Sequence, residues 1–258
     1  MTPDPQLLCS TAAPGVLLLC LNRPERRNAL ATPLLCAVAE ALEEASRAPE
    51  VRAVVLTGGD AVFAAGADID ELAAADAGDP VQGPRFLAWK MVRAFPKPLI
   101  AAVEGWCLGA GAELMMCCDI VVAGQTARFG LPETNLGIMP GAGGTASLPR
   151  RIGRAMAMRM VLTGEPIDAS AACAAGLISE VVEAGQALDA AVTLAQTIAA
   201  RSASAMQAAK ASINQAETLS EPDHLLAERL RFVALLGTPD KIEGVRAFKE
   251  KRPAQWRV

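Results

Sequence analysis

Short apolar runs alternate with longer segments of helical periodicity along the first two thirds of the chain, and few folds accommodate this order. The runs at 16–21 (VLLLCL), 52–57 (RAVVLT) and 99–103 (LIAAV) have the length and composition of buried strands. Between the first two, apolar residues recur at helical spacing after Thr32, which we interpret as an N-cap followed by proline. Strand, helix and strand in this order predict a right-handed crossover between parallel strands, and therefore an α/β protein.

The pattern changes after about residue 185, where strand-like runs stop. Upstream, we predict a loop at 73–83, helices at 85–95 and around 114–118, and a strand at 120–123. Downstream, alanine-rich segments of helical periodicity predict four helices, at 187–201, 203–217, 222–235 and 239–251. We therefore divide the chain into a domain at 1–185 and a C-terminal helical region at 186–258, of a kind that often docks on a partner subunit.

Composition excludes several classes of protein. The hydrophobic content of 52% is typical of a folded globular protein, and the formal net charge of -4 argues against nucleic-acid binding, which needs a basic surface. Seven cysteines with no CxxC pair predict reduced thiols. With no secretory pattern at the start and no apolar run of about 18 residues, we expect a cytoplasmic protein that does not enter a membrane.

The single histidine, His224, limits the available chemistry. It falls in a late polar segment, SEPDHLLAE, and we interpret it as a solvent-facing helix residue. Metal sites built on several histidines, and Cys/His or Ser/His relays, are therefore disfavoured. Catalysis would come from carboxylates, backbone dipoles or the few lysines and arginines.

The stretch GAGAEL at 109–114 is glycine-rich and precedes an apolar helix. A dinucleotide fingerprint is disfavoured because its third small position falls on Leu114, and a Walker loop because Gly-Lys-Ser/Thr is absent. The small residues instead predict a helix start whose N–H groups are open to an anion, such as a thioester oxygen that becomes an enolate oxygen. Close packing of this helix on the sheet is the alternative interpretation.

A second stretch, FAAGADI at 63–69, also exposes backbone amides, so Ala67 and Ala110 could supply two convergent donors. Glu113 follows Ala110 by one helical turn and lies in an apolar helix, while Glu133 lies between apolar and glycine-rich stretches. Two carboxyl groups in apolar surroundings would share a proton and give one acid and one base. Two separate, salt-bridged structural glutamates are the alternative.

These residues resemble the crotonase superfamily, specifically the enoyl-CoA hydratases, over nearly the whole chain. The matching stretches keep the family's order and spacing: LNRPERRNAL (21–30), FAAGADIDEL (63–72), KPLIAAVEGWCLGAGAELMMCCDIVVAG (97–124), ARFGLPETNLGIMPGAGGT (127–145) and EGVRAFKEKR (243–252). The resemblance implies a right-handed spiral of β-β-α units, with C-terminal helices that make trimers, usually paired into hexamers.

The resemblance also implies a role for each candidate. The N–H groups of Ala67 and Ala110 would form an oxyanion hole, Glu113 would hold and activate a water, and Glu133 would exchange a proton at the α-carbon. Gly141 matches a backbone position that also holds the water.

The resemblance also implies three groups of residues that bind coenzyme A. One lines the coenzyme A part of the substrate, one holds its adenine end, and one near the C-terminus commonly reaches coenzyme A in a neighbouring subunit. Their members are Arg26, Arg27, Ala29, Ala65, Ala67, Asp68, Ile69, Asp70, Phe248 and Lys251. Asp70 stands where many hydratases have lysine or asparagine, so a phosphate contact would be lost or come from Arg26, Arg27 or Lys251. Ala110 replaces a common glycine, with little expected effect because the N–H group is what acts.

The presence of both glutamates favours hydration, the syn addition of water to a 2-trans-enoyl-CoA to give the 3-hydroxyacyl-CoA. No metal or redox cofactor is implied, and coenzyme A enters only as part of the thioester substrate. A Δ3,Δ2-enoyl-CoA isomerase and a non-catalytic acyl-CoA-binding protein are the alternatives. The stretch GLPETNLGIMPGAGGT is similar in sequence to that of the bacterial hydratases of phenylacetate breakdown, which act on 2,3-dehydroadipyl-CoA. Acyl specificity is expected at 73–89 and around Trp106 and Met139.

Overall fold

The computed structural model describes residues 5–76 and 82–256. The strands in these ranges are β1 (Leu7–Ala13), β2 (Val16–Leu21), β3 (Ala53–Thr57), β4 (Val62–Ala64), β5 (Leu99–Val103), β6 (Trp106–Leu108), β7 (Ile120–Gly124), β8 (Arg128–Gly130), β9 (Ile167–Asp168) and β10 (Glu180–Val182). The α-helices are α1 (Thr32–Arg47), α2 (Ile69–Ala74), α3 (Pro84–Arg93), α4 (Ala110–Met115), α5 (Gly144–Thr163), α6 (Ala169–Ala174), α7 (Ala187–Ala199), α8 (Ala203–Gln215), α9 (Glu221–Leu236) and α10 (Pro239–Glu250). Short 3-10 helices span Pro24–Arg26 and Glu133–Leu136.

From β3 to β8, successive strands alternate between two sheets. The larger sheet has the order β1-β2-β3-β5-β7-β10 and the smaller one β4-β6-β8-β9. The pairs β3/β4, β5/β6 and β7/β8 each place one strand in the large sheet and the next in the small sheet, and helical segments then follow. The pairs β2·β3, β3·β5 and β5·β7 are parallel, as the strand-helix-strand order predicts. This arrangement is the predicted spiral of β-β-α units.

The central strands of the large sheet are buried on both faces, whereas most of the edge strand β1 is exposed. One face packs on the main core, where β3 and β5 are buried at every residue and α1 contributes Leu34, Leu35 and Val38. The other face is covered by α7, whose Ala187, Ala191 and Ala195 are fully buried at helical spacing. Alanine at these positions lets the helix approach the sheet closely. The division at 185/186 stays a prediction, and the first helix after it packs on the sheet.

Two local predictions were wrong. Ala31, not Thr32, is the N-cap of α1, because the N–H and hydroxyl of Thr32 both donate to the Glu71 carboxylate at 2.9 Å. The His224 side chain is only 17% exposed, because α9 packs against α8, and its Nε2 lies 3.8 Å from Glu228.

Other predictions compare more closely with the structure. The four C-terminal helices are confirmed to within two residues at each end. Of the predicted loop at 73–83, the first two residues close α2, and 77–81 lie outside the described residues. All seven cysteines are free thiols. No helix in the described part of the chain is long and apolar enough to cross a membrane.

Candidate active site

A cavity of about 700 Å³ lies where the loop after β4, the start of α4, α3 and the 3-10 helix at Glu133–Leu136 meet. Both glycine-rich stretches and both candidate glutamates border it. The predicted site residues on its wall are Ala65, Ala67, Asp68, Ile69, Ala110, Glu113, Glu133 and Gly141. Tertiary structure thus brings together residues that lie up to some seventy positions apart in sequence.

Two backbone amides face this cavity from neighbouring loops. Ala110 is the first residue of α4 and follows Gly109, which has φ 50° and ψ −127°; Ala67 follows Gly66, which has φ 120°. Within the described residues, neither N–H donates to a protein acceptor. A Cβ atom on Gly66 would lie 3.5 Å from the Leu108 carbonyl oxygen, so the two loops are in contact. Glycine at both positions permits the conformation that leaves these amides unpaired.

Glu113 is buried, with 3% of its surface exposed, and its carboxylate is held by a third loop. Its Oε1 accepts hydrogen bonds from the N–H groups of Ala142 and Gly144, each at 2.7 Å. Burial raises the pKa of Glu113, although these two hydrogen bonds and the positive charges of Arg93 and Arg85 oppose the shift. The two amides are a part of the site that the sequence reasoning missed.

The loop that binds Glu113 depends on glycine and on Arg93. A Cβ atom on Gly144 would lie 2.9 Å from Leu131 Cδ1 and 3.0 Å from Glu113 Oε1, too close for either neighbour. Gly143 has φ 102°, and the carbonyl between the two donating amides, that of Ala142, accepts a hydrogen bond from Arg93. The GAGG sequence was visible as glycine-rich, but its carboxylate partner lies about thirty residues earlier.

Glu133 differs from Glu113 in its surroundings. It begins the 3-10 helix at the cavity wall, and its Oε2 is buried without a hydrogen-bond partner in the described residues. Burial, with the nearby charge of Glu113, raises the pKa of Glu133 to about 7. A Cβ atom on Gly109 would lie 3.0 Å from Glu133 Oε1, so the carboxyl group sits directly beside the start of α4.

The two carboxyl groups therefore have different hydrogen-bond partners within one cavity. Glu113 has two amide donors on one oxygen, which favour its ionised form, whereas Glu133 titrates near neutral pH. Such a pair can accept one proton and deliver another at pH 7.

Across the described residues, no group of three or more His, Cys, Asp or Glu side chains has the arrangement of a metal site.

Asp68, which we expected to bind coenzyme A, forms an ion pair within the protein instead. Its carboxylate lies 3.0 Å from Arg23, in a pair with side chains 13% and 9% exposed, and it caps α2 by accepting the N–H of Asp70. Burial alone would raise the pKa of Asp68, but Arg23 and the amides of Asp70 and Glu71 outweigh it and lower that pKa. The side chain is thus directed to Arg23, although the residue borders the cavity.

Of the residues implied at the adenine end, Ala65 borders the cavity, whereas the neighbouring Arg26, Arg27 and Ala29 do not. Arg26 pairs with Asp70 at 3.2 Å, and both side chains are exposed. Arg27 has φ 49°, and its carbonyl accepts the N–H of Ala65. The Ala29 carbonyl accepts a hydrogen bond from Arg23 at 2.6 Å.

A residue that the sequence reasoning missed fixes this turn. Asn28 is buried, and its Nδ2 lies within hydrogen-bonding distance of the carbonyls of Gly58, Val62 and Phe63 at 2.8, 3.1 and 3.2 Å. Its φ of 54° is uncommon for a residue other than glycine, a signal that only the structure provides.

The remaining predicted positions lie apart from the cavity of the same chain. Phe248 is 86% exposed on α10, and Lys251 follows that helix with φ 52°. Neither residue borders the cavity, and Trp106 does not either. Met139, by contrast, lies on its wall and is 62% exposed.

Known proteins provide an independent comparison. The sequence pattern of the family described as enoyl-CoA hydratase/isomerase matches residues 11–258. The chain is 46% identical over 237 residues to the 2,3-dehydroadipyl-CoA hydratase of Escherichia coli K12, covering 92% of this chain and 93% of that protein. It is 40% identical over 242 residues to the mitochondrial enoyl-CoA hydratase of Pongo abelii, covering 93% and 83%.

Solved structures give the same result. The crystal structure of an enoyl-CoA hydratase from Bacillus anthracis superposes with a TM-score of 0.92 at 34% identity, covering 98% of this chain and 99% of that one. An enoyl-CoA hydratase from Polaromonas sp. JS666 gives 0.91 at 38% identity, covering 97% and 99%. The family pattern, the relatives and the spiral of β-β-α units agree, and the chain belongs to the enoyl-CoA hydratase/isomerase family.

Proposed function

We propose that this protein is an enoyl-CoA hydratase that adds water syn across the double bond of a 2-trans-enoyl-CoA and forms the 3-hydroxyacyl-CoA. The observation that carries the proposal is a pair of buried carboxyl groups beside two unpaired amides in one cavity: Glu113 is bound by two backbone N–H groups, and Glu133 has an oxygen without a partner in the described residues. The hydratase names of the relatives support the same activity.

In the proposed mechanism, the N–H groups of Ala67 and Ala110 bind the thioester oxygen as it gains enolate character. One donor of this kind is worth ~2.7–4 kcal/mol in a transition state. Ionised Glu113 accepts a proton from water while the hydroxyl bonds to C3, and neutral Glu133 delivers a proton to C2. The double bond becomes a single bond, and proton exchange with solvent then removes the proton from Glu113 and returns one to Glu133. We propose that no metal or redox cofactor takes part, so treatment with EDTA should leave the rate unchanged.

The test is a steady-state assay that follows loss of the conjugated thioester of crotonyl-CoA. Glu113→Gln and Glu133→Gln should each lower kcat by about a hundredfold or more, the usual contribution of a positioned acid or base. Glu40→Gln, on the exposed face of α1, is the matched control and should retain the wild-type rate. Full activity in both active-site variants would show that the assigned chemistry is wrong. Migration of a 3-enoyl double bond that survives Glu113→Gln would indicate an isomerase instead.

We further propose the assembly and the location. Apolar side chains exposed on α9 and α10 support a homotrimer, or a dimer of trimers, formed through the C-terminal helices. In such an assembly, Phe248 and Lys251 would reach coenzyme A bound to a neighbouring subunit, and the turn at Arg26 to Ala29 would hold its adenine end. Seven free thiols support a cytoplasmic location.

A further inference from the structure

Arg85 is the only lysine or arginine among the described residues that border the cavity. It is the second residue of α3, and its side chain is 33% exposed. The wall around it is largely apolar, with Leu72, Phe86 and Met139 among its members. A cation in such a wall is costly unless something pairs with it.

The guanidinium group of Arg85 has more donors than the protein uses. Its Nη1 donates to the Leu30 carbonyl at 2.9 Å. An arginine side chain carries five N–H groups in a planar fork, and within the described part of the chain no other acceptor is within hydrogen-bonding distance of them. Donors therefore remain for a ligand in the cavity.

The acidic neighbours do not occupy this fork. Glu71 Oε2 forms an ion pair with Arg85 Nη1 at 3.6 Å, too long for a hydrogen bond, and the Glu71 carboxylate already accepts three hydrogen bonds from Thr32. The carboxylate of Asp68 pairs with Arg23, and that of Glu113 binds the Ala142 and Gly144 amides. Each of these carboxylates accepts hydrogen bonds from other donors, so none of them occupies the free N–H groups of Arg85.

We propose that Arg85 selects enoyl-CoA substrates whose acyl chain ends in a carboxylate. This inference rests on the proposed hydratase function and names the class of its substrate. A carboxylate can meet the planar fork with two parallel hydrogen bonds, whereas a methyl-ended chain would displace water from the cation and replace none of its hydrogen bonds. The selection therefore combines attraction for one chain end with a penalty for the other.

The test compares two 2-trans-enoyl-CoA thioesters with six acyl carbons, one ending in a carboxylate and one in a methyl group. The wild-type protein should have a kcat/KM about tenfold to a hundredfold higher for the carboxylate-ended substrate, and Arg85→Met should abolish that ratio. Lys90→Met, which removes one positive charge from an exposed position of the same helix, should keep it. Arg85→Lys keeps the charge but lacks the planar fork, and it should give an intermediate ratio. If Arg85→Met does not fold, Arg85→Lys still tests the proposal.

Binding of the two saturated six-carbon thioesters, measured by calorimetry, separates this inference from the proposed function. If the wild-type protein hydrates neither enoyl-CoA, the hydratase assignment fails, and tighter binding of the carboxylate-ended thioester that is lost in Arg85→Met would still support Arg85 as its binding residue. A wild-type protein that prefers the methyl-ended chain, or an Arg85→Met variant that keeps the wild-type ratio, would overturn the proposal.

Discussion

At the scale of single residues, the buried carboxyl group of Glu133 sets an expected pH range for hydration. Its pKa is raised to about 7 by burial and by Glu113. Because Glu133 must be protonated to deliver a proton to C2, kcat/KM should fall tenfold per pH unit above about 7. The measurement is a pH–rate profile of crotonyl-CoA hydration from pH 5.5 to 9. A rate that stays constant to pH 9 would contradict the role given to Glu133.

Exchange between glycine and alanine should lower kcat strongly at position 109 and only slightly at position 110. Gly109→Ala places a Cβ 3.0 Å from Glu133 Oε1 at φ 50°, and we expect a loss of at least about tenfold in kcat from strain and displacement of the carboxyl group. Ala110→Gly keeps the N–H group and removes only a buried methyl, so kcat should stay within about threefold. Equal losses in the two variants, measured on crotonyl-CoA, would refute this account.

At the scale of elements, α3 joins the cavity wall to the loop that holds Glu113. Trp89 borders the cavity, and one turn later the Arg93 guanidinium stacks 5.4 Å from the Trp89 ring centroid and donates to the Ala142 carbonyl. Ala142 in turn donates to Glu113. The charges of Arg93 and Arg85, both on α3, lower the pKa of Glu113, and Glu113 in turn raises the pKa of Glu133 and of Cys117.

Arg93→Met should therefore weaken catalysis through Glu113. Loss of the positive charge raises the pKa of Glu113 further, so the acidic limb of the pH–rate profile should move to higher pH, and kcat should fall more than KM rises. Lys90→Met is the control for a lost charge on the same helix, and Arg93→Lys should keep the position of the acidic limb. Identical profiles for Arg93→Met and Lys90→Met would show that α3 does not position Glu113.

At the scale of the whole molecule, the C-terminal helices leave apolar side chains uncovered. Leu226 and Leu230 on α9 are 62% and 63% exposed, and Ile242 on α10 is 63% exposed. Apolar surface of this extent is typical of an interface, and burial of each large side chain contributes about 1.5–3 kcal/mol.

Replacement of both Leu226 and Leu230 by glutamate should therefore dissociate the proposed trimer into monomers. The measurement is the molar mass from light scattering after gel filtration, with Gln196→Glu on the exposed side of α7 as a control that adds charge elsewhere. A trimer that persists in the double variant would place the subunit contact on another surface.

The amino-acid sequence by itself determined the alternation of strands and helices, the parallel pairing of strands joined by a helix, and the glycine-rich loops that carry the candidate amides. These features follow from backbone preferences and apolar periodicity over a few neighbouring residues, which the chain displays directly. The same local reasoning wrongly made Thr32 the N-cap of α1. The N–H of Thr32 donates to Glu71, which lies 39 residues further along the chain.

Only the tertiary structure decided which distant groups meet. The Glu113 carboxylate accepts hydrogen bonds from the amides of Ala142 and Gly144, and Asp68 forms an ion pair with Arg23. Arg85 borders the cavity and binds the Leu30 carbonyl with only one of its N–H groups. Each of these contacts joins different turns of the spiral, and their geometry depends on how the turns stack rather than on spacing along the chain. Burial then fixes the chemistry, because the pKa of a carboxyl group depends on the charges and amides around it, whichever part of the sequence supplies them.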